Sequence, residues 1–127
     1  MTKRYYSLRL GDTEYRLRLT MAGQRALKER WGEDILSFLF SAAIDAEKCC
    51  DLLGQCLSWP DSGNPVTDGE TLYDLLVDEG WQGQEAFAAL VFDLGAESGL
   101  LRREQADKLT AAVQNAYCQA FAALEEA

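Results

Sequence analysis

The segment DILSFLFSAAI, residues 34–44, limits what this chain can fold into, because as a helix it is apolar on almost every face. Ser37 and Ser41 stand four positions apart and leave one narrow polar stripe. A surface helix of a globular protein normally shows a wider polar face. We therefore expect this segment either to be buried nearly all round in a small bundle, or to give part of its surface to another chain.

The start of the chain predicts a β-hairpin. The run YYSLRLGDTEYRLRL alternates apolar and polar residues on both sides of Gly11-Asp12, a pair with turn chemistry. A lone hairpin is only marginally stable in water, so its apolar face is expected to lie on helices. The apolar residues that share this face are Tyr6, Leu8, Leu10, Tyr15, Leu17 and Leu19.

From residue 20 onward the apolar residues follow a helical period. Thr20, Asp34 and Asp45 are expected to be N-caps, and Gly32 a C-cap. Two helices, about 46–59 and 84–98, carry clear buried stripes. The first stripe is Cys49, Leu52, Leu53, Cys56 and Leu57; the second is Phe87, Leu90, Val91 and Leu94, broadened by Ala88 and Phe92.

These patterns predict a mainly α protein, with an N-terminal β-hairpin packed on a bundle of five or six helices. A chain of 127 residues suits a single domain over 1–127, with the hairpin in 1–19 and the helical body in 20–127. The C-terminal helix is expected at about 103–126. Its apolar seam is rich in alanine and comprises Leu109, Val113, Ala116, Tyr117, Ala120 and Leu124.

The charge distribution argues against nucleic-acid binding. The net charge is −9, but residues 1–18 carry +3 and the remaining residues −12. Lys48 is the one base between Trp31 and Leu101. A body of this sign repels phosphate backbones, whereas the basic start is explained equally by a solvated strand face or by a docking patch.

Catalytic and metal-binding signatures are missing from the sequence. There is no histidine, and none of the four cysteines forms a C-x-x-C pair, so the common nucleophile and zinc patterns fail. Asp74 and Asp78, with Glu79 beside them, suggest a solvated acidic helix face more readily than a divalent-metal site. We therefore expect no enzyme, no cofactor and no metal, and reduced cysteines typical of a cytosolic protein.

Two further features leave alternatives open. Each tryptophan falls at a predicted helix end, where it either covers the core or forms the rim of a binding groove. The apolar segment 34–44 and the alanine-rich seam are each compatible with self-association and with internal packing. No targeting signal is visible, and the apolar segment is too short to span a bilayer, so no membrane association is expected.

Several stretches, in order, resemble tail assembly chaperones of long-tailed bacteriophages and prophages of Gram-positive bacteria. YYSLRLGDTEYRLRLT is similar to their opening hairpin, and LKERWGEDILSFL to their passage from the first helix to the second. LYDLLVDEGWQGQEAFAALVFDLGAESGLL is similar to their acidic helix and the helix after it. The resemblance covers about residues 5–101. Two parts depart from it: the stretch DAEKCCDLLGQCLSW, and the last helix, which has no counterpart in the family.

The resemblance implies a non-enzymatic protein of the host bacterial cytoplasm. Such chaperones bind the tape measure protein and keep it soluble until the tail tube protein assembles around it. Apolar anchors at helical spacing would suit a helical client. The residues expected to bind the partner are Ile35, Phe38, Leu39 and Phe40, with Phe87, Val91 and Phe92 behind them.

The acidic body motivates one alternative function, an acidic phage-encoded inhibitor that mimics DNA and occupies a host nucleic-acid-binding protein. Such mimics usually arrange their carboxylates on a regular surface, whereas the acids of this sequence are dispersed over several helices. A small enzyme with a carboxylate-bound metal is a further alternative, which metal analysis of the purified protein would test.

Overall fold

The computed structural model describes residues 3–126 and shows a β-hairpin followed by six helices, as the sequence predicts. A single cluster of buried side chains draws on both strands and every helix. The elements are β1 Tyr6–Leu10, β2 Thr13–Leu17, α1 Met21–Trp31, α2 Ile35–Ala42, α3 Ala46–Leu57, α4 Gly69–Asp78, α5 Gln84–Glu97 and α6 Arg103–Glu126.

The hairpin has the predicted turn and the predicted faces. β1 and β2 are antiparallel, with Leu8 opposite Tyr15, and both side chains are buried. Gly11 takes a φ of +60°, a left-handed conformation that glycine adopts without steric cost. Just after β2, the backbone N–H of Arg18 donates to the carbonyl oxygen of Cys56 at 2.9 Å, which attaches the hairpin to α3.

One amide side chain joins the hairpin to the loop after α3. Asn64 Oδ1 accepts the backbone N–H of Arg16 at 2.7 Å, and Asn64 Nδ2 donates to the carbonyl oxygens of Arg16 at 2.8 Å and Leu57 at 3.0 Å. The side chain therefore bonds to the exposed edge of β2 much as a neighbouring strand would. Trp59 Nε1 also donates to the Arg16 carbonyl oxygen, at 3.0 Å.

The predicted caps are confirmed. The side chains of Thr20, Asp34 and Asp45 each accept a backbone N–H from the first turn of α1, α2 and α3. Gly32 ends α1 with a φ of +67°. Helix α3 ends at Leu57, two residues before the predicted end at Trp59, and Asp68 caps α4.

Helices α3 and α5 supply half of the buried core residues, mainly through the stripes that the sequence predicts. All five residues of the α3 stripe are fully buried, and the six named residues of α5 are buried as well. Helix α5 is in contact with β1, α2, α3 and α6. Its central position explains why its apolar face is broader than one stripe.

Helix α4 begins against the backbone of α3. A Cβ atom on Gly69 would overlap the carbonyl oxygen of Cys50 and would lie 2.6 Å from the backbone nitrogen of Gly54. Glycine at position 69 therefore permits this close approach, which brings Leu72 and Leu76 into the core.

The three tryptophans all pack at the edge of the core. Trp59 is buried, whereas Trp31 and Trp81 are partly buried. Trp31 Nε1 donates to Asp51 Oδ2 at 2.8 Å, and the Trp81 ring lies 5.5 Å from that of Phe87. These contacts favour the interpretation that the tryptophans cover the core.

No helix within residues 3–126 is both long enough and apolar enough to cross a membrane.

Candidate interaction surface

The apolar helix α2 is buried on one side only. Its inner face carries Phe38 and Leu39, both essentially inaccessible to water. Its outer face carries Leu36, Phe40 and, just beyond the helix, Ile44, with 44%, 49% and 66% of their surfaces exposed. These three positions follow i, i+4, i+8 spacing and form one outward stripe, which we call the α2 stripe.

The polar residues of α2 lie beside this stripe and bond locally. Asp34 Oδ1 accepts the backbone N–H of Ser37 at 3.0 Å, and Ser37 Oγ donates to Asp34 Oδ2 at 2.9 Å. These hydrogen bonds hold the pKa of the Asp34 carboxyl below its ordinary value. Ser41 Oγ donates to Glu33 Oε1 at 3.1 Å. Ser37 in the first turn and Ser41 in the last turn are thus both bonded to nearby carboxylates, and the α2 stripe faces water.

The structure separates the seven predicted partner-binding residues. Phe40 belongs to the α2 stripe, and Ile35 is half-buried at the start of α2. The expectation of accessible surface is wrong for the remaining five, because α5 is surrounded by other elements and α2 turns its inner face toward it. These five core residues are Phe38, Leu39, Phe87, Val91 and Phe92. That any of the seven contacts a partner stays a prediction.

Leu36 and Ile44 are exposed apolar residues that the sequence prediction missed. Their signal was their i, i+4, i+8 spacing with Phe40. That signal was hidden because every other position from Ile35 to Ile44 except the two serines is also apolar, so no wide polar face marked the outside of the helix.

Helix α6 also exposes apolar side chains. It has 24 residues against 14 in α5, and of its side chains only that of Ala106, near its start, is fully buried. The stretch 109–124 contains no charged residue. Leu109 and Val113 are half-buried, whereas further along Phe121 and Leu124 expose 54% and 69% of their surfaces. Between Val113 and Leu124, α6 therefore presents to water an uncharged surface that includes exposed apolar side chains.

An open apolar groove joins the α2 stripe to α6. It has a volume of about 250 Å³ and is lined by Ile44, Val113, Ala116, Tyr117 and Ala120. Gln84 Nε2, at the start of α5, donates to the carbonyl oxygen of Ala43 at 3.0 Å. This hydrogen bond holds the end of α2 against the start of α5, and so fixes Ile44 as one wall of the groove. The α2 stripe and this groove together form what we call the apolar surface.

Three of the cysteines are poor nucleophiles in the fold. Burial raises the pKa of the Cys49 thiol to about 12 and that of Cys50 to about 11, and burial also raises the pKa of Cys56. The protonated thiol is the unreactive form. Cys118 is exposed on α6. Within residues 3–126, no group of three or more acidic or thiol side chains is placed to hold a metal ion.

Comparison with known proteins gave no match: no family model fits this chain, and neither a curated protein nor a solved structure is significantly similar to it.

Proposed function

We propose that this chain is a phage tail assembly chaperone, a non-enzymatic protein that binds apolar helical segments of a tape measure protein and keeps them soluble. The observation that carries the proposal is the apolar surface formed by the α2 stripe and the adjoining groove on α6. The resemblance of residues 5–101 to that family supplies the identity of the client. The role places the chain in the host bacterial cytoplasm, with the tail tube protein as second partner.

An amphipathic helix is the client shape that this surface accommodates. Leu36, Phe40 and Ile44 are spaced at one helical turn, so they match apolar residues repeated at the same interval on a second helix. The groove between Ile44 and Tyr117 extends this row onto α6 and offers a recess for one larger side chain. The apolar stripe of the client helix would be covered without either protein forming new secondary structure.

The energy available from one such contact is small. Fully burying a Leu, Ile or Phe side chain contributes about 1.5–3 kcal/mol. The side chains of the α2 stripe are already about half-covered, so the three together retain roughly 3 kcal/mol to gain. Association also costs translational and rotational freedom. A single copy therefore holds its client weakly, and stable protection requires many copies bound along one long chain.

The acidic composition suits a protein that exposes apolar surface. A net charge of −9 favours solubility, and added acidic residues favour it more than added basic ones. The apolar surface itself carries no charge at neutral pH, because neither the α2 stripe nor the stretch 109–124 includes Asp, Glu, Lys or Arg. A client helix can approach without an unpaired charge being buried.

The test is co-expression of this chain with the tape measure protein of the same phage genome. We expect the wild-type chain to bring the tape measure protein into the soluble fraction and to co-purify with it. The double substitution Leu36→Asp and Ile44→Asp should reduce the soluble amount by about tenfold or more, since each carboxylate would be buried in the contact. Val77→Asp is the matched control, because Val77 lies on α4 with 47% of its surface exposed.

Two results would contradict the proposal. A tape measure protein that stays insoluble and unbound beside the wild-type chain would refute the function. Equal rescue by the double variant and by Val77→Asp would leave the function standing but refute the apolar surface as its site. Circular dichroism of each variant checks that the fold is intact.

One observation favours the acidic inhibitor as a second candidate. Glu70, Asp74 and Asp78 lie at i, i+4, i+8 on α4, are exposed, and have no ion-pair partner within residues 3–126. A regular row of carboxylates is the surface that a DNA mimic needs. Capture of a DNA-binding protein from host lysate would support this function if the capture is lost at high salt and in Asp74→Lys, Asp78→Lys. Capture that is insensitive to salt would contradict it.

A further inference from the structure

A second recess lies between residues 21–28 of α1 and the start of α2, and it shares no lining residue with the apolar surface. It has a volume of about 280 Å³, and almost all of its exposed lining is apolar. The residues that line it are Met21, Gln24, Arg25, Lys28, Asp34 and Ile35. We call it the α1–α2 groove.

Two free bases stand on the rim of the α1–α2 groove. Met21, Arg25 and Lys28 are at i, i+4, i+7 and so share one face of α1. Both bases are exposed, and neither has an ion-pair partner among residues 3–126. The one acid in the lining, Asp34, is engaged in capping α2. The groove therefore suits a ligand that is apolar with adjacent negative charge.

The last turns of α6 have that composition. Tyr117, Phe121, Leu124 and Glu125 lie at i, i+4, i+7, i+8 and share one face, and Glu126 follows. The rings of Tyr117 and Phe121 are stacked 6.3 Å apart, which fixes the two side chains as one exposed apolar unit. Both glutamates are exposed and, like the bases of the groove, have no ion-pair partner in the described part of the chain.

We propose that the last turns of α6 from one copy of this chain dock in the α1–α2 groove of a second copy. Phe121 and Leu124 would cover Met21 and Ile35, and the glutamates would pair with Arg25 and Lys28. The groove and the end of α6 belong to the same chain, and within residues 3–126 the charged groups of both lack ion-pair partners. This complementarity favours a second copy over an unrelated partner.

The uncharged stretch 109–124 makes this approach feasible for a protein of net charge −9. Copies of like charge repel each other. The part of α6 that would enter the contact is uncharged up to Leu124, so it adds no repulsion. The negative charge of Glu125 would then be neutralised by the bases of the groove. Because the two surfaces differ, the contact is head-to-tail and joins copies into rings or rows. The inference does not depend on the proposed client.

Analytical ultracentrifugation of the purified chain, from low to high micromolar concentration, tests the contact. We expect the wild-type chain to form species larger than a monomer as the concentration rises. The pair Arg25→Glu, Lys28→Glu and the pair Glu125→Lys, Glu126→Lys should each weaken association by about tenfold or more, because like charges then face each other. The matched control, Asp74→Lys with Asp78→Lys on α4, should associate at least as well as the wild type.

Mixing the two charge-reversed variants separates this contact from general charge effects. Glutamates in the groove of one variant would then meet lysines at the end of α6 of the other, so association should return. The chain that carries all four reversals should also associate. A wild-type chain that remains monomeric throughout, reversed variants that associate like the wild type, or a mixture that fails to restore association would each overturn the proposal. None of these outcomes bears on binding of the tape measure protein.

Discussion

Asn64 shows how much of the hairpin's attachment rests on one side chain. Its amide makes three hydrogen bonds to backbone groups of β2 and α3. Asn64→Ala should lower the free energy of unfolding by about 1–3 kcal/mol, since it leaves partly buried backbone groups without partners. Asn64→Asp should be at least as destabilising at neutral pH, because both donated bonds are lost and a carboxylate then faces two carbonyl oxygens.

Urea denaturation followed by circular dichroism measures both effects. Asn115→Ala is the control, because Asn115 is exposed on α6 and makes no side-chain hydrogen bond within residues 3–126. Equal stability of the two position-64 variants and the control would contradict the role assigned to Asn64.

The buried thiols make stability depend on pH in the alkaline range. Unfolded thiols lose their protons near the ordinary pKa of roughly 8.5. Folding raises the pKa of Cys50 to about 11 and that of Cys49 to about 12, and raises the pKa of Cys56 too. Above the ordinary pKa the unfolded state therefore binds fewer protons than the folded state, and the free energy of unfolding falls as pH rises.

We predict a steady loss of stability from about pH 8.5, the ordinary thiol pKa, up to about pH 11, where Cys50 of the folded state begins to titrate, in urea titrations. The variant Cys49→Ala with Cys56→Ala should be less stable at pH 7, because it loses packed core atoms. It should also show a shallower dependence on pH than the wild type. The same slope in both proteins would contradict the assignment of the effect to these thiols.

At the scale of elements, the contact between α3 and α4 depends on Gly69. A methyl group at this position would collide with backbone atoms of α3, which cannot rotate away as a side chain can. Gly69→Ala should destabilise the fold by about 3 kcal/mol or more. Gly54→Ala is a matched control, since a Cβ there meets Gly69 only at 3.5 Å, an ordinary contact. Thermal unfolding of the two variants makes the comparison; equal melting temperatures would contradict it.

Helix α6 should be stable over its first turns and weakly protected over its last. Ala106 is buried and Leu109 and Val113 pack against the core, whereas after Val113 almost all side chains are exposed. Local stability of a helix comes mainly from such packing. Hydrogen exchange at low protein concentration should be faster in residues 114–126 than in α5 by orders of magnitude. Equal protection of the two helices would show that the end of α6 is packed in the monomer.

The predictability of the elements followed the clarity of their patterns. Polar residues on the opposite side of α3 mark its solvent-facing side, so the buried stripe from Cys49 to Leu57 could be predicted residue by residue. Helix α2 has no such side, so the sequence could not say that Phe38 is buried while Phe40 is exposed. That choice is made by the neighbouring helices, above all α5, and it is not encoded in α2 alone.

At the scale of the whole molecule, the fold class was predictable from the sequence and the apolar surface was not. The alternation of apolar and polar residues predicted the hairpin, and capping residues such as Thr20 and Asp34 predicted where helices begin. The groove between Ile44 and Tyr117 joins residues far apart in the chain, and only tertiary packing brings them together. The alanine seam of α6 likewise gave no sign that Leu109 and Val113 would be half-buried while Ala120 and Leu124 are exposed.

The central claim is that the apolar surface binds a helical segment of another protein, and a photo-crosslinking experiment addresses it most directly. A photoreactive amino acid replaces Ile44 in one variant and Val77 in another, and each is co-expressed with the tape measure protein and irradiated. The account predicts a covalent adduct with the tape measure protein from position 44 and none from position 77. Adducts from position 77 alone, or from neither position, would contradict it.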